Sequence, residues 1–197
     1  GGGSIKENGV YDQVLDALKQ HKVVEFGGIE ANPDYATLLK AIKQVRKKNV
    51  DFLLAVGGGS VIDGTKFVSM ASPNDTIEPW DLLTRNLAKD LKKTIPFGTV
   101  LTLPATASEF NHNSVISRRE TQEKFSFASD RVFPKFSILD PETTYSLPQK
   151  QLRNGLVDAY VHVMEQYLTY PAGGIVQDRQ SEALLLAIIE MAPAVLE

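Results

Sequence analysis

The stretch DFLLAVGGGSVIDGTK, residues 51–66, decides how this chain reads. Residues 51–56 form a continuous apolar run, the pattern of a strand buried on both faces. Gly57-Gly58-Gly59-Ser60 follows directly, and residues 61–70 then carry a helical pattern. Glycine between a strand and a helix lets backbone approach a ligand that any Cβ would push away. The helix start offers unpaired N–H groups and the positive end of its dipole, which suits a pyrophosphate. A plain tight turn fits the same residues. The string also departs from the G-x-G-x-x-G fingerprint and from the phosphate loop ending in Gly-Lys-Ser/Thr. Asp63 has a structural reading of its own, as a favourable charge in the first turn of a helix.

Upstream, Val10, Val14, Leu15 and Leu18 recur at helical spacing, and residues 23–26 read as a short strand ended by Gly27-Gly28. After Asn32-Pro33, a helix face is marked by Leu38, Leu39, Ile42 and Val45. Downstream, residues 98–103 form another strand before Pro104. Strands alternating with helices predict right-handed βαβ units, hence an α/β, Rossmann-like, mainly parallel sheet with flanking helices. From Ser114 the pattern changes to short β-like runs at residues 115–116, 125–127 and 136–139. A hairpin over residues 118–127, laid against the main sheet, accounts for them. After Pro148 the pattern is helical, over residues 149–170 and 175–196. The shift near residue 146 predicts an α/β domain over 1–146 and the first helices of an all-α domain over 147–197.

Composition narrows the function classes. The 197 residues are 43% hydrophobic and 23% charged, with formal charge −3, ordinary for a globular protein. Lys and Arg are scattered, which argues against a nucleic-acid face or a membrane-surface helix. With no cysteine, thiolate metal sites, disulfides and cysteine nucleophiles are excluded. The apolar runs fall far short of the ~20 residues that span a bilayer, and a cytoplasmic protein is expected. The chain opens on Gly1-Gly2-Gly3-Ser4 without an initiator Met and closes inside a helical pattern, so both ends look cut. A Gly/Ser run is also the usual composition of a flexible linker.

Two further stretches carry chemistry. In Thr102-Leu103-Pro104-Ala105-Thr106-Ala107-Ser108-Glu109, a strand ends in hydroxyl side chains, at the carboxyl edge where open α/β sheets bind ligands. Ser108 and Glu109 could equally cap the next turn. In Gly155-Leu156-Val157-Asp158, followed by His162, Asp158 and His162 are i and i+4 and leave one helix face about a turn apart. That is a geometry for two ligands on one divalent cation. An exposed ion pair uses the same spacing, and two ligands fall short of a tight site. Glu165 lies near the same face and reads as supporting or structural.

Taken in order, LLAVGGGSVIDGTK (residues 53–66), TLPATASE (residues 102–109) and GLVD with His162 closely resemble the iron-containing alcohol dehydrogenase superfamily. The Phe26-Gly27-Gly28-Ile29-Glu30 string with Asn32-Pro33, then Ile116-Ser117-Arg118 and Leu139-Asp140-Pro141, strengthen the likeness to its NADPH-dependent, butanol dehydrogenase-like aldehyde reductase branch. The resemblance implies a dinucleotide-binding α/β domain followed by a helical domain, with a metal in the cleft. Carried over, Gly58, Gly59, Ser60 and Asp63 hold the pyrophosphate and nearby ribose. Thr102, Thr106 and Ser108 line the nicotinamide side, with Asn111 a further candidate there. Asn32 lies near the adenosine, and Lys124 contacts the nicotinamide ribose. Asp158 and His162 are the first two metal ligands.

Under the same resemblance the opening glycines form a native turn at the adenosine ribose. Gly2, Gly3 and Ser4, with Lys6 close by and no carboxylate before Glu7, suit the 2′-phosphate of NADP(H) rather than NAD. The expected reaction is hydride transfer between the nicotinamide and a small aldehyde or primary alcohol, with Fe(II) or Zn(II) polarising the oxygen. The resemblance also implies a strand before Gly1 and two further histidine ligands after Glu197, so these residues alone should be inactive or nearly so. Homodimerisation is expected by analogy. Two other readings stand beside this one. A dehydroquinate synthase-like metal-dependent lyase shares the architecture, but residues 149–197 offer only Lys150, Arg153 and Arg179 as cations. A non-catalytic NADP-binding module or fragment is the other.

Overall fold

The structure is a computed structural model that describes residues 3–169 and 173–196. It divides into two compact units, Gly1–Tyr145 and Ser146–Glu197. In the first unit a short helix α1 (Ser4–Glu7) and α2 (Val10–Ala17) precede α3 (Tyr35–Lys48). Strand β1 (Leu53–Gly58) then passes into α4 (Gly59–Ala71), and a short α5 (Asp81–Thr84) precedes β2 (Phe97–Leu103). Strands β3 (Asn113–Arg118), β4 (Glu123–Ala128) and β5 (Ser137–Ile138) complete this unit, and α6 (Gln149–Thr169) and α7 (Ile175–Leu196) make up the second. Among the described residues no helix is long and apolar enough to cross a membrane.

The main sheet has the order β1-β2-β5, and both pairings are parallel. β1 and β2 run in register from Leu53↔Phe97 to Gly57↔Leu101, and the ladder slips between Gly57 and Gly58. The β1–α4–β2 path is therefore the βαβ unit that the apolar run and the helical pattern predict. α4 is nearly all buried, with Ile62, Phe67 and Met70 fully enclosed. It packs on β1, on α3 through Leu38, and on β3. A Cβ on Gly64 would stand 2.9 Å from Leu38 Cδ2, so glycine sets how closely α3 and α4 approach. α3 stops at Asn49, which takes the left-handed conformation (φ 51) while its N–H donates to the Arg46 carbonyl, a common helix ending.

The structure differs from the sequence-based expectation in several places. Residues 23–26 form no ladder. A strand needs a neighbour to share its backbone bonds with, and here the Glu25 carbonyl accepts instead from the Gln44 side chain of α3. β1 runs two residues further than its apolar core, because Gly57 and Gly58 keep pairing with β2, and α4 starts at Gly59 rather than at Val61. The hairpin begins at Asn113 rather than Arg118 and is its own two-stranded antiparallel sheet. It lies over α4 rather than against the main sheet. Aromatic packing explains that seat: the Trp80 ring meets Tyr35 at 4.9 Å and Phe125 at 6.0 Å, while Phe67 meets Phe127 at 6.4 Å. The Arg118 guanidinium lies 5.4 Å from the Tyr35 ring and 5.6 Å from that of Trp80, a cation over two aromatic faces.

In the second unit α6 and α7 pack on each other, with Leu185 buried and the Tyr167 hydroxyl donating to Glu182. α6 has no buried residue. Leu38, fully buried, and its neighbour Leu39, 38% exposed, provide a test of the core. Leu38→Ala should lower unfolding free energy by about 2–5 kcal/mol, and Leu39→Ala by well under half as much. Urea denaturation of both variants checks it.

A candidate nucleotide cleft and a carboxylate–imidazole pair

At the carboxyl ends of β1 and β2 lies a cleft of about 350 Å³. Its walls come from three places: the first turn of α4 (Gly59, Ser60, Asp63), the segment after β2 (Thr106, Ser108, Asn111, Asn113) and the pair Asn32 and Lys124. Pro33 and Val115 complete it. α4 starts without a side-chain cap, so its first N–H groups face the cleft region unpaired by any capping oxygen. Glycine is required here for space. A Cβ on Gly59 would stand 2.2 Å from Thr106 Oγ1, and one on Gly58 would stand 3.1 Å from Leu103 Cβ. The α4 backbone thus runs directly against the segment leaving β2.

Asn32 holds the second wall. It takes the left-handed conformation (φ 55), tolerable for asparagine. Its N–H donates to Ser60 Oγ at 3.2 Å, and its Oδ1 accepts from Lys124 Nζ at 2.8 Å. The turn is tied to the hairpin, because Ser117 N donates to the Pro33 carbonyl and Arg119 N to Asp34 Oδ1. Asn32 and Lys124, which the resemblance assigns to the two nucleosides of a dinucleotide, therefore meet at one point.

Below the cleft is a buried polar cluster. Asp63 accepts from the Ser108 hydroxyl through Oδ1 and from Val115 N through Oδ2, and its carbonyl accepts from Ser114 Oγ. Ser108 is itself buried, and its Oγ also accepts from Lys66 Nζ at 2.9 Å. Lys66 has no exposed surface, and its ammonium donates further to Asn111 Oδ1 and the Asn113 carbonyl. Burial pushes the Asp63 carboxyl above its ordinary value, against the hydrogen bonds from Ser108 and Val115. Burial pulls Lys66 down to about 8, against the attraction of Asp63 and Glu109.

The sequence-derived candidates thus separate. Asn32, Gly59, Ser60, Asp63, Thr106, Ser108, Asn111 and Lys124 line the cleft. Gly58 and Thr102 lie in the ends of β1 and β2 without lining it. Gly2 lies outside the described residues. Gly3 (φ 97) precedes the first turn of α1, which Ser4 begins. Lys6 is not a free cation: its Nζ is 2.6 Å from Glu25 Oε1 and 4.5 Å from the Tyr11 ring centroid, and Tyr11 also donates to Glu25. The absence of a carboxylate before Glu7 concealed this, because Glu25 arrives from another part of the chain. Asp158 and His162 face each other along α6, 3.6 Å apart and both about half exposed. Among the described residues no group of three or more His, Cys, Asp or Glu is placed to hold a metal. Lys66, Asn113 and Val115 were missed as site residues. Only Lys66 left a signal, as the single cation in the helical run 61–70, three residues after Asp63.

Comparison with known proteins now decides the family. Residues 1–141 match the sequence profile of the iron-containing alcohol dehydrogenases. The chain belongs to that family. It is 54% identical over its whole length to the NADPH-dependent aldehyde reductase YqhD of Escherichia coli, covering 51% of that protein. It is 47% identical over 98% of its length to a probable NADH-dependent butanol dehydrogenase of Bacillus subtilis, covering 50% of it. The crystal structure of E. coli YqhD superposes with a TM-score of 0.91 over all of this chain and 50% of that one. NADH-dependent butanol dehydrogenase A of Thermotoga maritima superposes at 0.85 with 36% identity, over 99% of this chain and 48% of that one. The chain spans about half the length of the curated relatives it matches.

Lys66 has a folded pKa near 8 against 10.5 for the free side chain. Between those values the unfolded chain binds the proton and the folded chain does not. Its contribution to stability is then present above 10.5 and lost as the pH falls through 8. Wild type should gain stability relative to Lys66→Met as the pH rises from 8 to 10, by up to ~1.4 kcal/mol per unit. Denaturant midpoints of both proteins across that range check the sign.

Proposed function

We propose that this chain supplies the nucleotide-binding part, and the first two metal donors, of a metal-dependent NADP(H) oxidoreductase that interconverts small aldehydes and primary alcohols. The observation that carries the reading is the cleft itself. An uncapped helix start at Gly59 and Ser60 and the Lys124 ammonium converge on one space at the carboxyl edge of a parallel sheet. That is where a pyrophosphate gains most from backbone N–H groups and a cation.

In this reading Gly58, Gly59 and Ser60 present backbone to the pyrophosphate. Lys124, held by Asn32, meets an adjoining ribose or phosphate oxygen. Thr106 and Asn111 form the wall on the nicotinamide side, next to the strand end that carries Thr102. Asp63 and Ser108 act from beneath, since their polar atoms are already joined to each other. Gly2, Gly3 and Ser4 form the adenosine-side turn. NADP(H) is preferred on the strength of the small residues and hydroxyl at that turn and of the likeness to an NADPH-dependent reductase, although relatives named for NADH stand nearly as close.

Asp158 and His162 would hold Fe(II) or Zn(II). One carboxylate and one imidazole 3.6 Å apart suit either ion, and a catalytic centre uses about three protein ligands, so the pair is part of a set. When bound, such an ion acts as a Lewis acid toward an aldehyde or alkoxide oxygen. The division at residue 146, a homodimer and a cytoplasmic location belong to the same proposal.

Two measurements test it. Titration of the chain with NADPH and with NADH, read by nicotinamide fluorescence, should give tighter binding of NADPH. Equal or tighter NADH binding would remove the 2′-phosphate assignment. In the full-length enzyme, Asp158→Ala and His162→Ala should each lower metal content and cut aldehyde reduction by at least ~100-fold, the upper end expected for weakened metal sites. Unchanged metal content would remove the metal assignment.

A further inference from the structure

Lys66 does not line the cleft, yet its ammonium holds the cleft's outer wall together. The segment from Pro104 to His112 has no regular secondary structure, so its path is not dictated by a ladder or a helix. Its Ala107 sits in the left-handed region (φ 51), a conformation that side chains with a Cβ resist and that surrounding contacts must impose. Within it Phe110 N and Asn111 N both donate to the Ala107 carbonyl at 3.0 Å and close a local turn, and the Glu109 carbonyl accepts from Ser137 Oγ at 2.8 Å, but none of these joins the segment to α4. Lys66 adds three short side-chain bonds that tie this stretch to α4: 2.9 Å to Ser108 Oγ, 2.9 Å to Asn111 Oδ1 and 2.8 Å to the Asn113 carbonyl.

An ammonium has three N–H groups, and all are used. The acceptors lie at both ends and in the middle of the stretch 108–113, so one cation fixes its register against α4. Ser108 passes the connection to Asp63, whose second oxygen holds Val115 N at the start of the hairpin. A buried lysine is seldom a stability device, because a well-packed apolar side chain of similar size costs less desolvation; specifying a register is its better-attested use.

We infer that Lys66 is a positioning residue for cofactor binding: by holding Ser108, Asn111 and the Asn113 carbonyl, its ammonium sets the wall that a dinucleotide packs against. The inference rests on the proposed cofactor only for its consequence; the ordering of 106–113 stands without it. Charged neighbours are few. Asp63 on the same helix and Glu109 on the loop attract the ammonium, and Lys124 acts on Asp63. Opening the wall returns Lys66 to water, where it holds its proton to higher pH, so the wall should tighten as the pH rises from 8.

Hydrogen exchange read by mass spectrometry, on the 197-residue chain and on Lys66→Met, tests the ordering. Protection of residues 106–113 should fall at least tenfold in the variant, with β1, β2 and α3 protected as before, and NADPH affinity should fall by at least tenfold. Unchanged protection of 106–113 in a folded variant would overturn the inference. So would protection lost evenly through the chain, which is what a merely structural lysine predicts. If Lys66→Met does not fold, the wild type carries the test. Between pH 8 and 9.5 its protection factors at 106–113 should rise, because opening this segment returns Lys66 to water, where it regains its proton; flat or falling profiles would overturn the inference. Absence of NADPH binding by the wild type would contradict the proposed function, while the exchange contrast would still decide the role of Lys66.

Discussion

The close approach of α4 to the segment leaving β2 is the constraint on which the rest of this structure depends. A side chain at Gly58 would strike Leu103 and one at Gly59 would strike Thr106, and their bareness lets strand, helix start and loop share one edge. The parallel pairing of β1 with β2 brings both strand ends to the same side, and the ladder slip at Gly57 and Gly58 turns the chain out of the sheet. An uncapped helix start on that edge leaves polar hydrogens for which a ligand anion is the natural partner.

Beneath that edge, the structure spends buried charge rather than apolar packing. Asp63 and Lys66 are three residues apart on α4 and are joined through Ser108. Together they tether the loop 106–113 and the start of β3 to a helix that is buried from Gly64 onward. The hairpin is fastened a second time by the aromatic cluster of Tyr35, Phe67, Trp80, Phe125 and Phe127, with Arg118 over two of its rings. Asn32 and Lys124, 92 positions apart, close the cleft from the other side.

Much of this was legible in the chain. The apolar run before the glycines, the helix after them and the strand before Pro104 carry local periodicity, and each formed within two residues of where it reads. The long helices after Pro148 were equally plain. Residues 23–26 misled because β-like composition cannot say whether a neighbour exists to pair with. The stretch 72–96, with its buried Trp80, carries no periodicity and gave no reading. In the candidate site, glycines and hydroxyls announced themselves by type. The partners of Lys6, Lys66 and Lys124 did not, because each is set by tertiary contact: a lone lysine on a helix reads as solvated until the fold places three acceptors around it.

On the proposed function, an anionic dinucleotide would seat its pyrophosphate on the first turn of α4, between the loop 106–113 and Lys124. The most direct measurement is backbone amide NMR of the isotope-labelled chain during titration with NADP+. The largest shifts are expected on Gly59, Ser60 and Val61, followed by Thr106 to Asn111 and Lys124. Saturable binding with its largest shifts elsewhere, for example beside Arg46 and Asn49 in the shallow hollow of about 250 Å³ between the end of α3 and Ser72, Pro73 and Ile95, and none at the start of α4, would contradict it.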